Sequence, residues 1–155
     1  MLLGSCGETR KPEGAVIIWD KHENGNHKTV HQFLTDPGDF SDDYFYQEFF
    51  ENGNLKIQGL ENRRIRKGEW KIYYETGELK AIMTFDNGSL EGPATIFDKS
   101  GTIIATDTAE NGLFKNESIE LRSVIEKSID FSDNRTNWDD SLKQTIDSLE
   151  KIIKN

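Results

Sequence analysis

Apolar and polar residues alternate along the middle of the chain, in short segments separated by glycine-containing turns. In the segment LKAIMTF, one face of a strand receives Leu79, Ala81, Met83 and Phe85, and the other receives Lys80, Ile82 and Thr84. The preceding segment EWKIYY alternates in the same way. Because both faces carry some apolar side chains, we expect a curled antiparallel meander with one face packed more heavily.

The alternating pattern recurs with a period of 24 residues. The glycine pairs Gly68/Gly92 and Gly77/Gly101 keep this interval, and so do Tyr73/Phe97 and Leu79/Ile103. A fixed period in this range predicts one supersecondary unit stacked on copies of itself. The three units are Tyr44–Lys67, Gly68–Glu91 and Gly92–Lys115. Each unit predicts two strands joined by a tight turn.

Each unit contains two predicted turns. The first has glycine in the same place in all units: Glu51-Asn52-Gly53, Glu75-Thr76-Gly77 and Lys99-Ser100-Gly101. The second is Asp86-Asn87-Gly88 in the second unit and Glu110-Asn111-Gly112 in the third. The first unit has Asn62-Arg63-Arg64 at this place. Because its glycine is missing, we predict a different geometry for that turn.

Residues 15–43 predict a degenerate first hairpin and a loop, out of phase with the later units. Ala15–Trp19 is a β-branched and aromatic run typical of a strand. Asn24-Gly25-Asn26 predicts a turn, and Thr29–Phe33 predicts the return strand. Thr35–Asp43 is polar, contains Pro-Gly and lacks periodicity, so it predicts a loop or insertion.

Residues 116–155 predict a helical region. Apolar residues in Glu117–Ile129 lie near helical spacing. A clearer apolar stripe follows at Trp138, Leu142, Ile146, Leu149 and Ile153. A sheet built by repetition has an open edge, and we expect this helix to cover that edge or an exposed sheet face. The predicted fold class is mainly β, an antiparallel meander of stacked β-hairpin repeats with a C-terminal α-helical cap.

These units resemble the MORN repeat variant, whose motif is approximately G-x-W-x-x-Y-Y-x-x-G-x-L-K. The second unit matches at Gly68, Trp70, Tyr73, Tyr74, Gly77, Leu79 and Lys80. The third matches at Gly92, Phe97, Gly101 and Ile103, with Ala94 in place of Trp and Asp98 in place of the second Tyr. The first matches at Tyr46, Phe49, Phe50, Gly53, Leu55 and Lys56, with Tyr44 in place of the opening Gly.

The resemblance implies an architecture and two expected roles. Bacterial members of the family are commonly described as antitoxins of toxin–antitoxin systems, and the repeat is also common in lipoproteins. Residues 1–14 bear on the second role, because Leu3, Gly4, Ser5 and Cys6 resemble a lipoprotein signal cleavage site followed by a polar tether. Only five residues precede Cys6, whereas a signal peptide needs a basic region and an apolar region. We interpret the start as a trimmed lipobox with Cys6 as the lipidation candidate, the alternative being an ordinary N-terminus with a stray thiol.

Charge and composition limit the classes of partner that this chain is expected to bind. The net charge of −9 disfavours nucleic acid and anionic membrane surfaces. We therefore expect a protein partner, and membrane contact only through a lipid anchor at Cys6. The localisation that follows is the cell envelope if the lipobox is real, and the cytoplasm otherwise. The 34% hydrophobic and 10% aromatic content favours a thin structure with an aromatic seam.

Candidate catalytic chemistry is sparse. His22, His27 and His31 cluster, but strand residues four apart are separated by about 13 Å, too far to share a zinc ion unless a hairpin bend brings them together. Two acidic groups lack the ligand pattern of a calcium loop; they are Asp39, Asp42 and Asp43, and Asp133, Asp139 and Asp140. The sequence contains no nucleophile elbow, phosphate-binding glycine loop or CxxC pair. We predict no enzymatic activity, no metal and no cofactor.

Two sets of residues are candidates for binding. The basic run Arg63, Arg64, Arg66 and Lys67 fits an acidic partner or a phosphate head group, or else a solvated turn. The aromatic residues Trp70, Tyr73, Tyr74 and Phe97 fit an exposed stacking surface, or else the repeat core. The leading hypothesis is a non-catalytic β-repeat lipoprotein that mediates protein or cell-envelope interactions. The alternatives are a cytosolic antitoxin that binds a toxin, and a glycan or peptide binder using exposed aromatics.

Overall fold

The computed structural model describes residues 14–34 and 43–129. They form one antiparallel sheet, in which successive strands along the chain are neighbours. The strands are β1 (Val16–Lys21), β2 (His27–Phe33), β3 (Tyr44–Phe49), β4 (Leu55–Asn62), β5 (Ile65–Tyr73), β6 (Leu79–Asp86), β7 (Ser89–Leu90), β8 (Gly92–Phe97), β9 (Ile103–Glu110) and β10 (Leu113–Phe114), followed by helix α1 (Ile119–Ser128). The short strand β7 pairs only with β6, which also pairs with β8. The predicted meander of hairpins with a C-terminal helix is confirmed.

Four hairpins turn through the same five-residue loop. In each loop the first backbone N–H donates to the fifth carbonyl, and the glycine N–H donates to the first carbonyl. The first and fifth residues are His22/Asn26, Phe50/Asn54, Tyr74/Glu78 and Asp98/Thr102. The hairpin of β1 and β2 is therefore confirmed, and its turn has the same geometry as the three later ones. It is out of phase because Gly25 precedes Gly53 by 28 residues rather than 24.

The prediction that the turn at Asn62-Arg63-Arg64 has a different geometry is wrong. Both Arg63 (φ 49°) and Arg64 (φ 67°) have positive φ angles, as do the Asn-Gly pairs of the later units. The angles there are 46° and 83° at Asn87 and Gly88, and 53° and 84° at Asn111 and Gly112. The reason is the register: Asn62 pairs with Ile65, which leaves two residues to reverse the chain. A two-residue hairpin of this type requires positive φ at both, whatever the side chains.

One face of the sheet, called the core face here, carries nearly all buried apolar residues. They run from Phe33 on β2 to Phe114 on β10 and are joined by Leu121 and Ile125 of α1. The alternation predicted for β6 is confirmed, since Met83 is fully inaccessible on the core face. Apolar side chains of neighbouring strands thus bury one another along one face of the sheet, in place of a core between two layers.

The core face changes along the sheet at equivalent positions of the three units. These positions hold Tyr46, Trp70 and Ala94. Helix α1 packs on β8 and β9, the strands of the third unit, where the small Ala94 leaves room for it. The ring of Trp70 lies directly on Gly59, because a Cβ added there would be 2.1 Å from the indole.

Asp107 on β9 holds the connection from β10 to α1. Its carboxylate accepts hydrogen bonds from the backbone N–H groups of Thr108 (2.7 Å), Asn116 (3.1 Å) and Ser118 (3.4 Å). Burial opposes ionisation and is the largest single influence, yet these hydrogen bonds together hold the pKa of Asp107 below its ordinary value. Ser118 in turn caps α1 by accepting from the Leu121 N–H at 3.4 Å.

Helix α1 confirms the prediction for Glu117–Ile129. Among the described residues, no helix has the length and apolar character needed to cross a membrane. The predicted helix over Trp138–Ile153, the lipidation candidate Cys6 and most of the loop from Thr35 lie outside the described residues. So do five of the six residues of the two acidic groups, all except Asp43.

Candidate functional site

The structure separates the four residues of the basic run. Arg63 and Arg64 form the exposed turn between β4 and β5. Arg66 is 2% exposed and lies on the core face. Lys67 alternates onto the opposite face, where its Nζ is 3.4 Å from the carboxylate of Asp43. The expected continuous basic patch is therefore not formed, because strand alternation divides the run.

Arg66 is a core residue by its place in the repeat. Residues 24 and 48 positions later are the buried Leu90 and Phe114. The guanidinium carbon of Arg66 lies 5.1 Å from the ring centroid of Trp70 and 5.8 Å from that of Phe85. Such stacking suits a buried guanidinium. Its role as a contact for an acidic partner is corrected accordingly.

The aromatic residues predicted as a stacking surface do not share one surface. Trp70 is fully buried on the core face, so the alternative of repeat core applies to it. Tyr73 faces the other side of the sheet, where its hydroxyl accepts a hydrogen bond from Gln58 Nε2 at 2.9 Å. Tyr74 donates its hydroxyl to the carbonyl of Phe97 at 2.8 Å, which ties the second unit to the third.

A pocket of about 570 Å³ lies between the first hairpin and the turn that joins β4 to β5. The described residues that line it, called the aromatic pocket from here on, are Trp19, Thr29, His31, Phe33, Tyr44, Arg63 and Arg64. They come from β1, β2, β3 and the Arg63–Arg64 turn. Of the residues predicted for binding, only the two exposed arginines belong to this pocket.

Aromatic rings in contact form the wall of the aromatic pocket. The rings of His31 and Tyr44 are stacked, with centroids 4.4 Å apart and an interplanar angle of 16°. The Trp19 ring contacts His31 at a centroid distance of 5.4 Å, and Phe33 contacts Tyr44 at 5.4 Å. Stacked and tilted rings at these distances attract one another beyond simple area burial. Trp19 and His31 are the more accessible rings of this wall, and the buried rings of Phe33 and Tyr44 lie behind them.

A β-bulge in β1 accounts for the orientation of Trp19. Ile18 pairs with Val30 and Asp20 pairs with Thr29, so Trp19 is the extra residue between two pairs. A bulge of this kind redirects the side chain that it inserts. Trp19 keeps 59% of its surface exposed, although it is a large aromatic residue.

Charge at the pocket is dominated by its two arginines. Both Arg63 and Arg64 are exposed, and neither forms an ion pair within residues 14–34 and 43–129. Asp20, next to Trp19 in the chain, is already bound to Lys28 at 3.1 Å. That hydrogen bond is the main reason that the pKa of Asp20 is lowered. Among the described residues that line the pocket, the charged side chains are therefore positive.

The three histidines do not assemble a metal site. His22 donates from Nε2 to the carbonyl of Phe49 at 2.8 Å in the first turn, whereas His31 stacks in the aromatic pocket. Across the described ranges, no group of three or more His, Cys, Asp or Glu side chains could hold a metal ion. The expectation of a non-catalytic protein without cofactors stays a prediction.

Trp19, His31 and Tyr44 line the pocket but were not among the residues predicted for binding. One available signal was the tetrapeptide Glu-Asn-Gly-Asn, which occurs at residues 23–26 and again at 51–54. This identity indicates that the first hairpin belongs to the repeat array, and so places its strands beside the first unit. The bulge that turns Trp19 outward leaves no such signal.

The comparison with protein families identifies the repeats. Residues 46–60 and 66–87 match the family model of the MORN repeat variant, which confirms the resemblance. No curated protein and no solved structure matches the chain. MORN repeats are generally associated with protein or membrane binding. The chain thus contains MORN-variant repeats, and the descriptions as antitoxin and lipoprotein stay predictions.

Proposed function

We propose that this chain is a non-catalytic binding protein and that the aromatic pocket is where it binds a partner protein. The repeats build the sheet, and the pocket lies where the first hairpin meets the first unit. The general association of MORN repeats with binding supports this class of function.

One observation carries the proposal: an exposed tryptophan and two exposed arginines meet at one pocket. Trp and Arg are the residue types enriched at the energetic centres of protein interfaces. Trp19 is 59% exposed and is turned outward by a bulge, although burial would stabilise it. An exposed aromatic side chain that packs against a neighbouring ring loses less conformational freedom on binding than an unsupported one.

Site-specific photo-crosslinking in the native cell tests this function. The crosslinking amino acid p-benzoylphenylalanine is incorporated in place of Trp19, where its own large aromatic side chain stands in for the indole, and in a control in place of Ile103. Ile103 is 58% exposed and lies in the third unit, so the two positions are matched in accessibility. We expect one protein adduct specific to position 19. Equal crosslinking from both positions, or none from position 19, would contradict the proposal.

Two hypotheses describe where in the cell this chain meets its partner. In the first, the chain is anchored in the cell envelope through a lipid on Cys6, as the LLGSC start suggests. Metabolic labelling with a palmitate analogue then labels the product of the natural gene, and Cys6→Ser removes the label. In the second, the chain is a cytosolic antitoxin, whose partner is a toxin. A neighbouring gene that is lethal alone and harmless with this chain would support that version, and an unlabelled natural product would exclude the first.

A further inference from the structure

We infer that the aromatic pocket binds a short acidic segment of the partner protein, in which an aspartate or glutamate lies next to an aromatic or large apolar side chain. This inference rests on the proposed function and specifies the chemistry of its ligand. Three features support it: the side chains of Arg63 and Arg64, the backbone conformation of their turn, and the aromatic wall of the pocket.

The arginines supply the recognition of a carboxylate. A guanidinium presents planar N–H donors that match the two oxygens of a carboxylate, and such charge-assisted bonds are stronger than neutral ones. Arg63 and Arg64 line the same pocket and have no carboxylate partner among the described residues. A ligand carboxylate would therefore meet two cations without displacing an ion pair of residues 14–34 or 43–129.

The backbone of the turn indicates that these arginines are retained for something other than folding. The equivalent turns of the second and third units have the same positive φ angles and use Asn-Gly. Asn-Gly is the favoured pair for this turn, and bulky side chains are disfavoured in the left-handed region. Strained conformations of this kind concentrate at functional sites. The array thus departs from its own preferred turn at the one place that borders the aromatic pocket.

The wall of the pocket supplies the second half of the recognition. The exposed Trp19 and the half-buried His31 form an apolar surface beside the arginines, and the buried ring of Tyr44 stacks behind His31. A ring or branched apolar side chain on the ligand would bury area against this surface. A single carboxylate without such a neighbour would use only the arginines.

Charge distribution favours an acidic peptide over an anionic membrane. Strand alternation removes Arg66 and Lys67 from the basic run, so only two of its four cations reach the pocket. The chain carries a net charge of −9 and repels an extended anionic surface. Screening limits interactions to about 8 Å at physiological salt, so a carboxylate at the pocket responds mainly to the two local arginines.

Fluorescence anisotropy with three labelled octapeptides tests the inference on the full chain. The first contains adjacent Asp and Phe residues; the second replaces Asp with Asn; the third replaces Phe with Ala. We expect the first to bind at least about tenfold more tightly than either analogue, because each analogue removes one half of the recognition. Raising the salt concentration should weaken the first peptide and leave the Asn analogue nearly unchanged.

The variant Arg63→Asn/Arg64→Gly isolates the arginines without endangering the fold, since it installs the pair used by the other two units. It should lose at least about tenfold in affinity for the acidic peptide, while its thermal unfolding midpoint stays equal or rises. The control Lys80→Asn/Lys99→Asn removes the same charge beside Tyr74. It should bind as the wild type does.

The inference would be overturned by equal affinity for the Asp and Asn peptides, or by equal losses in the variant and its control. It would also be overturned by binding to phosphatidylglycerol vesicles with no peptide binding, which would indicate a lipid head group instead. In each of these cases, crosslinking from position 19 would still test independently whether the pocket binds a protein.

Discussion

The turn at Asn62–Ile65 and the turn at Asp86–Ser89 have the same backbone and opposite side-chain chemistry. Both have two central residues with positive φ angles, which are Arg63 and Arg64 in one and Asn87 and Gly88 in the other. Asn-Gly is what folding alone favours there. The period of the array therefore sets the backbone geometry of a turn, while an individual copy can carry side chains that lower stability.

A second difference between copies separates the two ends of the sheet. At equivalent core-face positions, the second unit has Trp70 and the third has Ala94. The small residue lies where α1 packs on β8 and β9. The third unit is thus adapted to receive a helix, whereas the first hairpin and first unit carry the aromatic pocket. Substitutions at equivalent positions can test how far each difference matters.

The largest effect on stability is expected from Gly59→Ala. The residues equivalent to Gly59 in the other units are Met83 and Asp107. A Cβ at residue 59 would lie 2.1 Å from the Trp70 ring, so the indole or the strand must move. We expect a loss of about 3 kcal/mol or more in the free energy of unfolding, measured by urea titration. Adding Trp70→Leu should recover part of this loss. A purely additive double variant would contradict the proposed clash.

The next effect is expected when the first-unit turn is moved into the second unit. Asn87→Arg/Gly88→Arg places arginine at φ angles of 46° and 83°. Because left-handed geometry costs a bulky residue about 1–2 kcal/mol, we expect a total loss of about 2–3 kcal/mol. The comparison of turns would be undermined if this variant were as stable as the wild type. A suitable control is Asn87→Asp, which should change stability little.

A smaller effect is expected at the turn before α1. The pKa of Asp107 is lowered in the folded chain, so the stability it contributes is present above the unfolded pKa and is lost as pH falls through the folded pKa. Asp107→Asn should cost about 1–2 kcal/mol at pH 7, since the charge-assisted bonds from the backbone N–H groups of Thr108, Asn116 and Ser118 weaken. The difference between wild type and variant should shrink below about pH 4, in urea titrations at several pH values. A difference that is constant with pH would contradict the assigned role.

The smallest effect is expected at the hydroxyl that links the second and third units. Tyr74 donates to the Phe97 carbonyl at 2.8 Å, whereas the equivalent residue of the first unit is Phe50 and has no hydroxyl. Tyr74→Phe should lower the unfolding free energy by about 1 kcal/mol. Tyr73→Phe serves as a comparison on the opposite face. A gain in stability on removing the Tyr74 hydroxyl would contradict the link.

Much of the fold follows from the sequence because period and alternation act on every residue. The three units, the core face of β6 and helix α1 were predictable from spacing alone. The Arg63–Arg64 turn was mispredicted because glycine, the usual marker of positive φ, is absent there. Position in the repeat is the better guide, and it also places Arg66 among buried residues.

The candidate site was harder to predict because it joins distant segments. Trp19 and Arg64 are 45 residues apart in sequence and line one pocket. Their proximity depends on three strand pairings and on a bulge whose position no local pattern specifies. Two residues of the basic run, Arg63 and Arg64, line the pocket, but strand alternation places Arg66 and Lys67 elsewhere.

We expect Arg63 and Arg64 to contribute to partner binding at a cost in stability. Two quantities test this directly when they are measured for both the wild type and Arg63→Asn/Arg64→Gly. They are the free energy of unfolding and the yield of the crosslinked adduct from position 19. We expect stability to rise by about 1–2 kcal/mol, as strain is relieved, and the specific adduct to disappear. A variant that is less stable than the wild type, or that crosslinks equally well, would contradict the claim.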